Sequence, residues 1–177
     1  MATIAVREFS IGAGQVYLDD VLVGATRENN VFRILQDITA PQVNGAGGPL
    51  AYTDYHNTLP MAEMEVTLLE ITADMLAVMI PGAAASDVGD DEVIGPPASR
   101  RIQEADYHKW EIRVPGLSNR QLKYTILIGI ATTNPEFANA DDGANPAGPR
   151  LTIQSRIDPD DTTANPWTIT KTPASYS

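Results

Sequence analysis

A change of hydrophobic period within residues 59–83 constrains the fold more than any other feature of the sequence. From Met61 to Ile71 apolar and polar residues alternate, which is the pattern of a strand with one buried face. Glu63 and Glu65 are both polar positions of this alternation, so they share the face turned away from the core. The segment therefore predicts a strand with an apolar face and an acidic face.

The pattern changes to helical spacing at Thr72, whose hydroxyl can cap the start of a helix. Pro81 and Gly82 end the helical pattern, because proline cannot continue a helix and glycine accommodates the turn beyond it. We expect one short helix at about 72–80, packed on the sheet by Met75, Leu76 and Met79.

Further segments alternate in the same way and raise the expected number of strands to about seven or eight. They are a hairpin at Ile11–Thr26 and strands at Glu28–Thr39, Tyr107–Val114, Leu122–Ile130, Arg150–Ile157 and Trp167–Lys171. A tight turn is expected at Asp19–Asp20, and Ile126, Ile128 and Ile130 are expected on the core side of their strand. In the second strand, Phe32 and Ile34 lie on one side, and Arg33 and Asp37 on the other. The sequence predicts a mainly β fold, a two-sheet β-sandwich or half-barrel with one short helix.

Segments without periodicity connect these strands at about 40–60, 84–105 and 132–148, and residues 172–177 form a short tail. The length of 177 residues suits a single domain, 1–177. The first loop carries the apolar anchors Leu50, Tyr52, Tyr55 and Leu59. These side chains either order against a partner or pack back on their own sheet, and the sequence favours neither. The acidic segment 84–105 is expected to be a solvated surface loop.

Composition excludes several function classes. The absence of cysteine excludes disulfides and thiolate metal sites, and two histidines make a histidine-rich metal site unexpected. The formal charge of −11 argues against binding to a phosphate backbone, which requires clustered lysine and arginine. No apolar run is long enough to cross a bilayer. We expect no metal, no cofactor and no membrane partner.

A catalytic set is not apparent. Asp54 and His56 are close in sequence, but no nucleophile is tied to them by a recognisable turn. Glu63 and Glu65 would lie about 7 Å apart at ordinary strand rise, a spacing compatible with a glycosidase pair. No feature of the sequence marks a cleft around them. The sequence therefore predicts no catalytic residue, and we expect the protein not to be an enzyme.

Two blocks of the first half resemble the bacteriophage major tail tube proteins, which are related in architecture to type VI secretion tube proteins. The entrance hairpin carries the resemblance at Gly14, Tyr17, Gly24 and Thr26. The strand and helix carry it at Pro60, Leu68, Glu70, Ile71, Thr72, Leu76 and Gly82. The second half is similar in strand order, and the acidic insert at 84–105 departs from the family.

The resemblance implies a structural virion protein that forms hexameric rings, stacked into a tail tube through which the genome is ejected. It implies assembly in the host cytoplasm, with the tape measure, tail terminator and distal tail proteins as partners. Viral DNA would pass a negatively lined wall without specific binding. On this basis Asp37, Glu63 and Glu65 are expected to face the lumen.

Other interpretations remain open at this point. The two glutamates could instead pair with Lys109, Lys123 or Arg113 on neighbouring strands. A monomeric β-sandwich, acting as a capsid decoration or carbohydrate-binding module, would use Tyr52, Tyr55 and Tyr107 to line a groove. A tube protein of a contractile injection machine is a third interpretation, and a hydrolase is the last.

Overall fold

A computed structural model describes residues 3–27, 30–39, 42–43, 51–52, 56–57, 61–69, 79–80, 83–88, 91–95, 102–116, 120–132, 136–138 and 147–173. This part of the chain contains fifteen strands and a 3₁₀ helix at Glu104–Asp106. The strands are β1 Thr3–Ile11, β2 Gln15–Leu18, β3 Val21–Ala25, β4 Asn30–Thr39, β5 Gln42–Val43, β6 Ala51–Tyr52, β7 His56–Asn57, β8 Met61–Thr67, β9 Ala84–Val88, β10 Asp91–Gly95, β11 His108–Gly116, β12 Arg120–Ala131, β13 Glu136–Ala138, β14 Ala147–Ser155 and β15 Trp167–Pro173. No helix among the described residues has the length and apolar character needed to span a bilayer.

Eleven of the described strands form one antiparallel sheet. Its main path runs β1-β4-β8-β14-β12-β11-β2-β3, and β7, β13 and β15 join at β4, β14 and β12. Two smaller sheets pair β9 with β10 and β5 with β6. The mainly β fold expected from the sequence is confirmed.

The alternation of β8 decides which face of the sheet is buried. Met64, Val66 and Leu68 are each 1% exposed or less, whereas the residues between them are only half-buried. The same core contains Phe32 and Ile34 of β4, Trp110 and Ile112 of β11, Ile126 of β12, and Leu151 and Ile153 of β14. Each large apolar side chain buried here contributes about 1.5–3 kcal/mol.

The chain just beyond β3 contacts the end of β8. Thr26 and Leu68 form an isolated antiparallel bridge. Beside it, the Arg27 N–H donates a hydrogen bond of 2.9 Å to the Thr67 carbonyl. This contact joins two strands that stand far apart on the main path of the sheet.

A buried asparagine holds this junction together. The side chain of Asn30 is fully buried, and its Nδ2 lies 2.7 Å from Thr26 Oγ1. The same nitrogen lies 3.0 Å from the Gly12 carbonyl and 2.8 Å from the Arg27 carbonyl. Its Oδ1 accepts a hydrogen bond of 3.2 Å from the Thr67 N–H. The amide thereby offsets the cost of burying its own polar atoms and pairs with polar groups of three other chain segments.

The tip of the β2–β3 hairpin is bonded to the start of β11. Asp19 and Asp20 both have positive φ, 47° and 69°, as a two-residue hairpin turn requires. The Asp19 carboxylate lies 2.7 Å from His108 Nδ1 and accepts the Lys109 N–H at 2.9 Å. Lys109 Nζ donates to Asp20 at 2.6 Å. The turn expected at these two residues is confirmed.

Several expected boundaries are wrong. The acidic segment 84–105 is not a loop throughout, because β9 and β10 form a hairpin within it. The segments 40–60 and 132–148 likewise contain β5, β6, β7, β13 and the start of β14. The sequence analysis also missed β1, which pairs with β4 along its whole length. Apart from β1, which has nine residues, the missed strands have two to five residues, and such short strands carry too little alternation to be recognised.

Other expectations fall partly outside the described residues. Strand β8 ends at Thr67, followed by the bridge at Leu68, and β15 extends to Pro173. Of the residues expected to pack the helix at 72–80, Met75 and Leu76 lie outside the described part of the chain. Met79 is described, and it is buried in the main core.

A bulge in β12 changes which of its residues face the core. His108 pairs with Gly129 and Trp110 pairs with Ile126. Between these two pairs β12 advances by three residues while β11 advances by two, which is a β-bulge. Gly129 consequently faces the core together with Ile126. Ile128, expected on the core side, is only half-buried. A strict alternation along this strand was therefore the wrong expectation.

We expect Gly129→Ala to lower the free energy of unfolding by about 1–3 kcal/mol, through overpacking. The added Cβ would lie 2.7 Å from Ile126 Cγ2, 2.9 Å from Ile153 Cγ2 and 3.0 Å from Trp110 Cδ1, all on buried side chains. The matched control is Gly12→Ala, whose Cβ meets nothing within 4 Å. Urea unfolding measures both variants, and equal stabilities would contradict the packing at Gly129.

Candidate functional site

The sheet face turned away from the core carries a connected group of polar side chains, here called the charged face. Its members are Glu8 of β1, Arg33 of β4, Glu63 and Glu65 of β8, and Arg150 and Gln154 of β14. The strand register explains the grouping, since Arg33 stands directly opposite Glu8 on one side and Glu63 on the other. Gln154 in turn stands opposite Glu63. Directly opposed residues of antiparallel strands share a face and interact.

Arg33 is the centre of this group. Its Nε donates to Glu8 at 2.9 Å, and its Nη1 donates to Glu63 at 2.7 Å and to Glu65 at 2.6 Å. A longer contact of 3.3 Å joins its Nη2 to the second oxygen of Glu65. One guanidinium thus binds three carboxylates, using the several donors that its planar fork provides.

The outer partners complete the network. Arg150 Nη2 donates to Glu65 at 2.6 Å, and Gln154 Nε2 donates to Glu63 at 3.1 Å. The side chains of Glu63 and Glu65 are only 18% and 15% exposed, whereas that of Arg150 is 66% exposed. The two glutamates are therefore largely shielded from solvent, where the loss of a charged partner is costly.

The pKa shifts of Glu65 and Arg33 agree with the hydrogen bonds between them. The hydrogen bond from Arg33 holds the pKa of Glu65 below its ordinary value, with Arg150 acting in the same direction against the opposing effect of burial. Hydrogen bonds to Glu65, Glu8 and Glu63 raise the pKa of Arg33. Both partners are therefore held in their charged forms at neutral pH.

The sequence analysis was right that Glu63 and Glu65 share a face, but wrong about their surroundings. The expected partners did not include Arg33, which lies in contact with both. The alternative partners were also wrong, because Lys109 binds Asp20. The other two cations, Arg113 and Lys123, lie beside Glu111. The alternation along β4 predicted the face on which Arg33 lies, but no local pattern in the sequence specifies which strand lies beside β4.

This arrangement is poorly suited to acid–base chemistry. A glycosidase pair needs one carboxyl group to donate a proton and the other to act as nucleophile or base. Here both carboxyl groups bond to the same guanidinium, and the hydrogen bond from Arg33 lowers the pKa of Glu65, which is the opposite of what a proton donor needs. Among the described residues, no group of three or more histidine or acidic side chains is placed to hold a metal ion.

The remaining candidate residues are described only in part. Asp37 is described by its backbone, which lies in β4 opposite Ile4 of β1. Tyr52 lies in β6, opposite Gln42. Of the other loop anchors, Leu50, Tyr55 and Leu59 fall outside the described residues. Their assignment to a contact between subunits stays a prediction.

Tyr107, which the carbohydrate-binding alternative would use, lies in a depression of about 670 Å³ with Ile102, Gln103, Glu104 and Arg156. The guanidinium of Arg156 stands 4.6 Å above the centre of the Tyr107 ring. A sugar-binding platform needs an open aromatic face, and the cation–π contact occupies one face of this ring.

No known family model, no curated protein sequence and no solved structure matches this chain.

We expect Arg33→Gln to lower the free energy of unfolding by about 1–3 kcal/mol at neutral pH, because it removes the cation that two shielded carboxylates share and leaves Glu65 with Arg150 alone. The matched control is Arg150→Gln, which removes an exposed guanidinium with one carboxylate partner. That variant should cost less than about 1 kcal/mol. Urea unfolding of both variants tests the ranking, and an equal cost would contradict the central role of Arg33.

The destabilisation caused by Arg33→Gln should depend on pH. Because the folded-state pKa of Glu65 is lowered, its stabilising contribution is present above the ordinary carboxyl value of 4.5 and is lost as the pH falls through the lowered one. The stability difference between wild type and Arg33→Gln should therefore shrink below about pH 4.5. A difference that stays constant from pH 7 to pH 3 would show that Arg33 acts through packing instead.

Proposed function

We propose that this protein is a structural virion protein of the tail tube type, not an enzyme. Copies of the chain would assemble into stacked hexameric rings and form the conduit for genome ejection in the phage tail. The resemblance of residues 12–32 and 60–83 to tail tube proteins motivates the proposal, and the mainly β architecture is compatible with it. The tape measure, tail terminator and distal tail proteins are the partners this function implies.

The observation that carries the proposal is the exposed apolar character of the two ends of the sheet. The main path ends at β1 and at β3. Strand β1 exposes Val6 and Phe9 at 53% and 38%, and β3 exposes Val21 and Leu22 at 65% and 50%. An edge strand with exposed apolar side chains tends to pair with another chain unless it is covered. A ring of identical subunits would cover both ends at once.

The charged face suits the wall of a conduit. Three carboxylates against two guanidinium groups leave one net negative charge on it. A DNA phosphate would find the central guanidinium already bonded to three carboxylates. We therefore propose that this face, with Glu63 and Glu65, lines the lumen, where it repels DNA weakly and offers no strong phosphate contact.

We expect the purified protein to form rings or tubes in electron micrographs as its concentration is raised, because exposed edges pair by mass action. Dispersed monomers at every concentration would contradict the proposal and favour the monomeric module.

An edge variant sharpens this test. Val21→Lys places a charge on the exposed end strand and should abolish ring formation while leaving the monomer folded. Leu127→Lys is the matched control, since Leu127 is also an exposed apolar residue, at 40%, but lies in the central strand β12. Equal assembly of the two variants would show that the edge of β3 is not an interface.

We expect a thiol on the charged face to become inaccessible to large reagents in assembled tubes. The chain has no cysteine, and Arg150 is an exposed member of this face, so Arg150→Cys introduces one reactive thiol there. In tubes it should react with a small maleimide but not with a maleimide carrying a polymer too wide for the lumen. The dilute monomer is the control and should react with both, and labelling of tubes by the large reagent would place this face outside.

A further inference from the structure

The turn at the tip of the β2–β3 hairpin has a strained backbone. Asp19 and Asp20 have φ of 47° and 69°, and they are the only non-glycine residues with positive φ in the described part of the chain. Two-residue hairpin turns with this backbone favour glycine at the second position, where Asp20 stands. Aspartate tolerates the left-handed region better than most residues, but less well than glycine. The local preference of these two residues alone therefore stabilises the turn only weakly.

Four contacts with the start of β11 hold the turn in place, and they are here called the tip latch. The Asp19 N–H donates to the Lys109 carbonyl at 2.9 Å, and the Lys109 N–H donates to Asp19 Oδ1 at 2.9 Å. Asp19 Oδ2 lies 2.7 Å from His108 Nδ1, and Lys109 Nζ donates to Asp20 Oδ1 at 2.6 Å. Three of the four contacts use a carboxylate oxygen of Asp19 or Asp20. The tip latch is therefore strongest while both carboxylates are charged.

The tip latch is exposed to solvent, so its ion pair responds to pH and to salt. The side chains of Asp19 and Asp20 are 53% and 67% exposed. The hydrogen bond from Lys109 lowers the pKa of Asp20 below its ordinary value of 3.8, and the charges of Arg113 and Lys123 act in the same direction against the effect of desolvation. Because the folded-state pKa of Asp20 is lowered, its stabilising contribution is present above pH 3.8 and is lost as the pH falls through the lowered value. High salt weakens the same exposed pair at neutral pH.

The exposed apolar end of β3 begins directly after the tip latch. Val21 and Leu22 follow Asp20 in the chain and are 65% and 50% exposed. Val21 pairs with Leu18 across the turn. Because the turn fixes the register of a hairpin, a turn that opens changes the position of Val21 and Leu22. The tip latch thus acts on the strand that the proposed function assigns to an interface.

We propose that the tip latch is a charge-dependent switch of self-assembly. While its contacts are made, β3 presents Val21 and Leu22 as an ordered edge to a second copy. When the carboxylates lose their charge, or salt screens the ion pair, the strained turn loses its stabilising contacts and the edge loses its order. The inference rests on the proposed function, because it takes β3 as an interface, and it adds the condition under which that interface forms.

Lys109→Met tests the switch at neutral pH, because it removes the cation bonded to Asp20 and keeps a long unbranched side chain. It should raise the concentration needed for ring formation about three- to fivefold, the scale of one exposed ion pair. The control is Lys171→Met, since Lys171 is an exposed lysine of β15, which pairs with β12 and not with the hairpin. At about 1 M salt, where the screening length is about 3 Å, Lys109→Met and wild type should assemble alike. Equal effects of the two lysine substitutions at low salt would overturn the inference.

A turn that needs no charge should rescue this variant. Asp19→Asn with Asp20→Gly introduces the residue pair that two-residue hairpin turns favour most. Added to Lys109→Met, this pair should restore the concentration for ring formation to within about twofold of wild type, because the turn then forms by backbone preference. A triple variant that is folded by circular dichroism but assembles as poorly as Lys109→Met would contradict the proposed switch.

The dilute monomer gives a readout that does not require assembly. Hydrogen exchange of the Asp19 amide reports on the tip latch, because this N–H donates to the Lys109 carbonyl. Its protection factor should fall about three- to fivefold in wild type between pH 5 and pH 2.5, and the amide of residue 19 should keep its protection in Asp19→Asn with Asp20→Gly. The amide of Met64, in the buried part of β8, is the control for global unfolding. A protection factor that stays constant in wild type would show that the carboxylates do not hold the turn.

The outcomes separate the two proposals. Wild-type rings whose formation is unaffected by Lys109→Met would overturn the switch and leave the proposed function in place. A wild type that stays monomeric at every concentration would contradict the proposed function, and the switch with it, even where the amide measurement shows that the carboxylates hold the turn.

Discussion

The amide of Asn30 lies fully buried where three other segments of the chain converge, at Gly12, at Thr26 and Arg27, and at Thr67, and its polar atoms lie within 2.7–3.2 Å of polar atoms of each segment. Without it, the Gly12 and Arg27 carbonyls and the Thr67 N–H would lose this partner at a partly buried junction. Loss of a hydrogen-bond partner is costly where access to water is restricted. The bridge between Thr26 and Leu68 lies at the same junction, so the amide stabilises the contact between the chain beyond β3 and the end of β8.

The two faces of the sheet are stabilised by different physics. The core face gains free energy from burial of side chains such as Phe32 and Met64, which needs no particular partner. The charged face depends on specific pairs, because Glu63 and Glu65 are largely shielded from solvent and both bond to Arg33. The proposed conduit for DNA would use this second property. A cation that is already bonded to carboxylates attracts a DNA phosphate only weakly, and the shielded carboxylates expose little negative charge.

Sequence reasoning reached the fold class because alternation is a local property. It identified the buried side of β8, the turn at Asp19 and Asp20, and the shared face of Glu63 and Glu65. It failed where the pattern was short or interrupted, as in the hairpin of β9 and β10 and at the bulge before Gly129. A bulge shifts every later side chain to the other face, and its position depends on the neighbouring strand.

By itself, then, the sequence determined which residues turn toward a core and which turn toward solvent, since side-chain direction along a strand follows from backbone geometry alone. Only the tertiary structure decided which strands lie side by side. That order brought Arg33 between Glu8 and Glu63, from positions 25 and 30 residues away in the chain. It also brought Arg113 and Lys123 to one buried carboxylate. Strand neighbours are selected by the packing of the whole core and by the closure of the sheet, and no local pattern records either.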